Sequence, residues 1–137
     1  MRYTAVFDTN ILISALLSTN SNPFRCLALA KIGQIESVTC QNILDEFTEK
    51  LIIKFKFSQE MAQAAVEEVR NFSRLVKIST ELKAVDADPD DNMVVECAVI
   101  GGATHIVTGD KHLLSLGKYQ AITIVKATEF LALLSQF

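Results

Sequence analysis

The sequence of 137 residues contains no tryptophan, two prolines, two histidines and three cysteines. Cys26, Cys40 and Cys97 are odd in number, far apart and without a Cys-x-x-Cys pair. This spacing argues against a disulfide framework and a zinc knuckle, and it predicts buried free thiols instead. No Ser-His or Cys-His nucleophile pair is evident, and we expect neither His105 nor His112 to be catalytic.

Long hydrophobic runs are also absent, although 50% of the residues are hydrophobic. No run could span a bilayer and no signal-peptide pattern is present, so we expect a cytoplasmic protein without a membrane partner. Length and composition fit one globular domain over residues 1–137. The net charge of −3 by itself disfavours nucleic-acid binding, but cations bound to a cluster of acids would offset it.

Acidic residues crowd together at one place, the segment 86–92 (DADPDDN), and an apolar run at 93–100 follows directly. Asp8 follows the first strand-like stretch, Asp110 follows a later one, and Glu46 lies beside the apolar stripe of a predicted helix. Hard cations such as Mg²⁺ prefer carboxylate oxygens and keep several waters, so a few converging acids can bind one. The pattern therefore predicts a divalent-metal site.

Strand-like and helical stretches alternate along the chain. Strands are predicted at residues 2–7, 35–39, 75–78, 105–107 and 121–125. Helices are predicted between them, with Asn22 and Ser58 as caps, a helix over 41–53 and a last helix opening at Thr128-Glu129. The alternation predicts an α/β fold with a central, mostly parallel sheet of about five strands flanked by helices. Ligands bind such sheets at the carboxyl ends of strands, where Asp8 and Asp110 are expected to lie.

Each acid also has an ordinary structural interpretation. Asp8 and Asp110 could cap helices, and Glu46 could be a solvated helix residue. Asp88, Asp90 and Asp91 could serve turns and caps around Pro89. The combination of two strand-end acids with an acidic helix start favours the metal site. If Asp8, Glu46, Asp91 and Asp110 converge on one pocket, their mutual repulsion should raise the pKa of at least one of them.

Taken together, these residues resemble the PIN-domain family, especially its bacterial and archaeal branch of toxin–antitoxin toxins, the VapC-like ribonucleases. The matching pieces are Val6-Phe7-Asp8-Thr9-Asn10, Glu46, Asp88-Pro89-Asp90-Asp91-Asn92, Gly102-Ala103 through Ile106-Val107-Thr108-Gly109-Asp110, and Ala127-Thr128-Glu129-Phe130-Leu131. Each piece is weak alone, but in series they span nearly the whole chain in the family's order and spacing.

The resemblance implies a Rossmann-like PIN fold and an Mg²⁺- or Mn²⁺-dependent endoribonuclease that cleaves single-stranded RNA. It implies that the protein is the toxin of a toxin–antitoxin pair, with an antitoxin protein as partner. By position, Asp8, Asp91 and Asp110 would hold the metal, and Glu46 would complete the site or position the attacking water. Residues expected to support the site are Asn10, Thr108 and Asp88.

Surface features suggest further contacts. Lys50, Lys54, Lys56 and Arg70 are candidates for RNA-phosphate contacts, although solvated helix faces explain them equally well. Apolar residues that could exceed one small core, together with the resemblance, predict a homodimer with an exposed apolar patch; they include Phe24, Phe55, Phe57 and Phe72.

Two alternatives to a nuclease stay open. One is a haloacid-dehalogenase-like phosphatase, whose chemistry wants a second Asp two positions after the first, where this chain has Asn10. The other is a non-catalytic module that uses the same fold to bind RNA or a protein.

Overall fold

The structure is a computed structural model and describes residues 2–82 and 89–135. Helices and strands alternate along these ranges, and no helix within them is both long and apolar enough to cross a membrane. The elements are β1 (Thr4–Phe7), α1 (Thr9–Leu17), α2 (Asn22–Lys31), β2 (Glu36–Cys40), α3 (Gln41–Ile53), α4 (Gln59–Phe72), β3 (Ser73–Val76), α5 (Pro89–Gly101), β4 (His105–Val107), α6 (Lys111–Leu116), β5 (Lys118–Tyr119), β6 (Ile122–Val125) and α7 (Ala127–Leu134).

The strands form one sheet in the order β3-β2-β1-β4-β6-β5. Every neighbouring pair is parallel except β5 and β6, which confirms the predicted mostly parallel α/β fold. Over the described residues the sheet has six strands where about five were predicted, since the two-residue β5 is too short to give a periodic signal. From β1 the chain builds outward through β2 and β3, and it then crosses to the other side of β1 with β4. The carboxyl ends of β1 and β4 therefore form the point where the strand order reverses.

The central strands are apolar and buried, as expected for a parallel sheet covered on both faces. Ala5, Val6 and Phe7 of β1 belong to the core, and Val6 pairs in register with Val38 of β2 and Ile106 of β4. All three cysteines are buried free thiols, which confirms that sequence prediction.

Local signals located most element starts correctly, with small shifts. The Ser58 hydroxyl accepts the N–H of Met61 at 3.1 Å, as predicted for a cap of α4. The cap of α2 is Ser21 and not Asn22, because the Ser21 hydroxyl accepts the N–H of Phe24 at 3.2 Å. Strand β3 begins two residues before the predicted stretch, and α7 begins one residue before Thr128. His112 lies in the short helix α6, which was not predicted from the sequence.

Candidate active site

Asp8 lies at the carboxyl end of β1 and caps α1. Its Oδ1 accepts the backbone N–H of Thr9 at 2.7 Å. Its Oδ2 accepts the hydroxyl of Thr108 at 2.7 Å and the side-chain amide of Asn10 at 3.0 Å. The residue is only 5% exposed. Three donors therefore hold a buried carboxylate in one orientation at the strand-order reversal.

Asn10 and Thr108 join the end of β1 to the loop after β4. The Thr108 hydroxyl is fully buried and accepts the backbone N–H of Asp110 at 3.0 Å. The side-chain Oδ1 of Asn10 accepts the backbone N–H of Gly109 at 2.9 Å. Two of the three predicted supporting residues, Asn10 and Thr108, therefore contact Asp8 directly and also fix the loop that carries Asp110.

Asp110 also caps a helix, as one of the two sequence interpretations expected. Its Oδ1 accepts the N–H groups of His112 at 2.8 Å and Leu113 at 3.2 Å, at the start of α6. Capping and a place near Asp8 are compatible, because the same loop geometry that starts α6 keeps Asp110 at the reversal point.

Burial is the largest influence on the Asp8 carboxyl, and it raises its pKa above the ordinary value. The hydrogen bonds from Thr108 and Thr9 lower the pKa, whereas the charges of Glu46 and Asp110 raise it further. The raised pKa of Asp8 has the direction expected for one acid of the group, but burial and not mutual repulsion is its main cause. The repulsion nevertheless shows that Glu46 and Asp110 both act electrostatically on Asp8.

Glu46 is not the solvated residue of the ordinary interpretation. Its side chain is 15% exposed, and one oxygen lies 3.4 Å from Nζ of Lys50, one turn along α3. Its other oxygen, Oε2, is buried and has no hydrogen-bond partner within the part of the chain that the structure describes. A buried acceptor without a donor is costly unless a water or a cation occupies it.

The acidic segment opens α5, as the sequence predicted. Asp90 and Asp91 lie in the first turn of that helix, where the helix dipole favours a negative charge, and Asp91 is 4% exposed. Asp90 and Glu46 line the same cavity between α3 and α5. Asp88 lies outside the described residues.

The four acids do not form a preassembled ligand set. Over residues 2–82 and 89–135, no group of three His, Cys, Asp or Glu side chains could hold a metal ion as it stands. Asp8 is linked electrostatically to Glu46 and Asp110, and Glu46 shares a cavity with Asp90. The donor chemistry fits a hard cation, since every acid offers carboxylate oxygen and Glu46 presents an unused one. Convergence of all four on one ion stays a prediction.

Two of the predicted RNA-contacting cations have protein partners. Lys50 pairs with Glu46, and Arg70 donates to the side chain of Gln41 at 3.2 Å and lies near Glu67. Lys54 is exposed at the carboxyl end of α3. Their contact with RNA stays a prediction.

Sequence reasoning overlooked Glu96, which is 5% exposed in α5. The available signal was that Glu96 is the only charged residue in the apolar run 93–100.

A family model of the PIN domain matches residues 4–112 of the chain. The chain therefore belongs to the PIN domain family, a nuclease fold whose members generally use a divalent metal. This membership favours the nuclease interpretation over the phosphatase alternative.

Individual relatives agree with the family assignment. The uncharacterized protein MJ1680 of Methanocaldococcus jannaschii is 31% identical over 128 residues, which cover 85% of this chain and 76% of the relative. The structure of VapBC2 from Rickettsia felis, bound to a DNA fragment from its promoter, matches with a TM-score of 0.61 and 16% identity over 88% of this chain and 96% of that one. The PIN domain of T. brucei RRP44 matches with a TM-score of 0.56 and 12% identity over 99% and 83%. At these identities the two structures show a shared fold.

Proposed function

We propose that this chain is a metal-dependent endoribonuclease that cleaves single-stranded RNA. The observation that carries the proposal is the environment of Asp8. Its carboxylate is buried and held by three hydrogen-bond donors at the strand-order reversal. The negative charges of Glu46 and Asp110 repel it. Such an arrangement is unfavourable for an ionised carboxylate alone, and a bound cation would offset the repulsion.

The proposed roles follow from the contacts. Asp8, Asp91 and Asp110 would hold Mg²⁺ or Mn²⁺, and the unused oxygen of Glu46 would accept a hydrogen bond from the attacking water. Thr108 and Asn10 keep Oδ2 of Asp8 in place. A bound cation supplies a water of lowered pKa and neutralises charge that develops on the phosphate.

Phosphate contacts are proposed for Lys50, Lys54 and Arg70. The ammonium group of Lys50 lies beside Glu46. If it contacts the RNA backbone, it would hold a phosphate next to the candidate site. Asp88 is proposed as a supporting acid on sequence position alone.

The test is cleavage of an end-labelled single-stranded RNA with Mg²⁺ or Mn²⁺, with EDTA, and with two variants of equal charge change. Asp8→Asn keeps the size of the side chain and removes its charge, so activity should fall by about a hundredfold or more while the protein stays folded. Glu60→Gln removes an exposed carboxylate in the first turn of α4 and should cleave like the wild type. Cleavage that persists in EDTA, or in folded Asp8→Asn protein, would falsify the proposal and favour the non-catalytic binding module.

We also propose that the protein acts as the toxin of a toxin–antitoxin pair, with an antitoxin protein as partner. The support is the likeness of its fold to the VapBC2 structure. Induced expression without an antitoxin should arrest bacterial growth, and expression of Asp8→Asn at the same level should not. Equal growth of both strains, with cleavage active in vitro, would refute the toxin role while leaving the nuclease intact.

Self-association is proposed from exposed apolar side chains. Ile32, Ile53 and Met61 are exposed by 70%, 59% and 55%, and Phe55, at 39%, is the most exposed of the four predicted phenylalanines. Phe24, Phe57 and Phe72 instead pack partly against the core. Light scattering should give the mass of a dimer, and a monomer mass at high concentration would contradict the proposal.

A further inference from the structure

Glu96 is a buried carboxylate in the middle of α5 that accepts hydrogen bonds from the segment 79–82. Its Oε2 accepts the hydroxyl of Ser79 at 2.9 Å, the N–H of Thr80 at 3.1 Å and the N–H of Ser79. Its Oε1 accepts the N–H of Leu82 at 3.1 Å. Three main-chain amides and one hydroxyl therefore surround one negative charge, an arrangement typical of an anion-binding backbone nest.

The segment 79–82 adopts a conformation that its own residues do not favour. Thr80 has a φ of 65°, and a β-branched residue rarely adopts positive φ. Such backbone persists where surrounding contacts over-determine it, and here those contacts converge on Glu96. Burial raises the pKa of Glu96, but the hydrogen bonds from Leu82, Ser79 and Thr80 lower it more, so the carboxylate stays ionised.

Glu96 shares α5 with the acidic first turn. It lies five residues after Asp91, about 7.5 Å along the helix axis. The segment 79–82 begins three residues after the end of β3, so Glu96 joins the exit of an edge strand to the middle of the helix that carries Asp90 and Asp91. An apolar residue at this buried position would avoid burying a charge, but it would leave the amides of Ser79, Thr80 and Leu82 without their acceptor.

We propose that Glu96 is a positioning residue. By binding the segment 79–82 to α5, it fixes the position of the helix and thereby places Asp90 and Asp91 relative to Glu46 and Asp8. The effect of this placement on metal binding and RNA cleavage rests on the proposed function, whereas the placement itself does not.

The substitution Glu96→Gln gives a sharp local expectation. A glutamine can point its oxygen at the Ser79 and Thr80 donors and keep those bonds, but its NH₂ group must then face the N–H of Leu82. Hydrogen exchange measured by NMR in metal-free protein should therefore speed up by about tenfold or more at Leu82 and less at Thr80. Glu96→Leu removes both acceptors and should expose all three amides. Glu81→Gln, an exposed carboxylate in the same segment, should change none of them.

Placement is tested on the same samples. In Glu96→Gln the amide chemical shifts of Asp90 and Asp91 should change, and the affinity for Mn²⁺ measured by titration calorimetry should fall by about tenfold. RNA cleavage should fall at low Mn²⁺ and recover at saturating Mn²⁺, because the ligands are displaced and not removed. Glu81→Gln should match the wild type in each measurement.

Faster exchange at Leu82 with unchanged shifts at Asp90 and Asp91 and unchanged Mn²⁺ affinity would overturn the inference, because Glu96 would then only hold a loop. Unchanged exchange at Leu82 would overturn it as well. If the wild type neither binds Mn²⁺ nor cleaves RNA, the proposed function fails, and the chemical shifts of Asp90 and Asp91 still decide whether Glu96 positions the helix.

Discussion

Replacing Thr108 by valine removes one hydroxyl from the centre of the Asp8 network with little change in volume. The hydroxyl donates to Oδ2 of Asp8 at 2.7 Å and accepts the N–H of Asp110 at 3.0 Å. Because Thr108 is fully buried, water cannot replace it. Loss of a hydrogen bond to a charged group costs about 1.5–3 kcal/mol, and the half-buried amide of Asp110 adds to this. We expect the free energy of unfolding to fall by about 2–4 kcal/mol.

Thr39 in strand β2 offers a matched control. It is 2% exposed, but its hydroxyl has no hydrogen-bond partner among the residues that the structure describes. Thr39→Val removes the same group from an equally buried position, and it should stabilise the protein by about 1 kcal/mol because an unsatisfied buried hydroxyl is removed. The same chemical change is therefore expected to have opposite signs at the two positions.

Urea unfolding at neutral pH, followed by circular dichroism, measures both variants. The comparison is strongest if the dependence of the free energy on urea is the same as in the wild type. A loss of less than about 1 kcal/mol for Thr108→Val would show that the network does not hold Asp8 in place. If both variants lose the same free energy of unfolding, the hydrogen bonds of the Thr108 hydroxyl contribute nothing beyond what the Thr39 hydroxyl contributes.

Two further predictions concern His105 in β4 and the contact between Gly101 of α5 and Val38 of β2. Burial lowers the pKa of His105 below its ordinary 6.5, so the unfolded chain binds more protons and the free energy of unfolding should decrease as the pH falls from 6.5 through the folded-state pKa. His105→Phe should remove this part of the pH profile measured by urea unfolding, and parallel profiles for the two proteins would contradict the assignment. Gly101→Ala would place a Cβ 2.5 Å from Cγ1 of the buried Val38, so it should cost about 1–3 kcal/mol of stability. Adding Val38→Ala should recover part of that loss, and purely additive effects would show that the two side chains do not meet.

The sequence predicted the fold where the local signal was long. Helix α3 has the predicted bounds, and the apolar runs of β1 and β4 located the two strands that precede Asp8 and Asp110. The two-residue β5 and the six-residue α6 were missed because neither completes enough periods to stand out from a loop. The start of β3 was misplaced by two residues, since pairing with β2 and not its own composition decides where it begins.

The sequence indicated which acids belong to the candidate site, but it did not indicate which residues form hydrogen bonds or ion pairs with them. Asp8 and Asp110 could be located because each follows an apolar strand. Their connection through Thr108 joins residues 100 positions apart, and no local pattern carries such a contact. The pairing of Glu46 with Lys50 follows helical spacing, but the burial of the other Glu46 oxygen depends on packing with other elements. Glu96 was missed for the same reason, because its partners lie 14–17 residues away along the chain.

The three buried cysteines give the molecule its own set of chemical reporters. Cys26 lies in α2, Cys40 ends β2 and Cys97 lies in α5, and each is completely shielded from solvent. Burial raises the pKa of Cys26 to about 12, so this thiol hardly ionises in the closed structure. Because all three sulfur atoms are buried, a thiolate-directed reagent can reach each one only when the element that carries it opens. Equal labelling rates at the three sites would mean that the structure opens as a unit, whereas different rates would rank its helices and strands by how easily they separate.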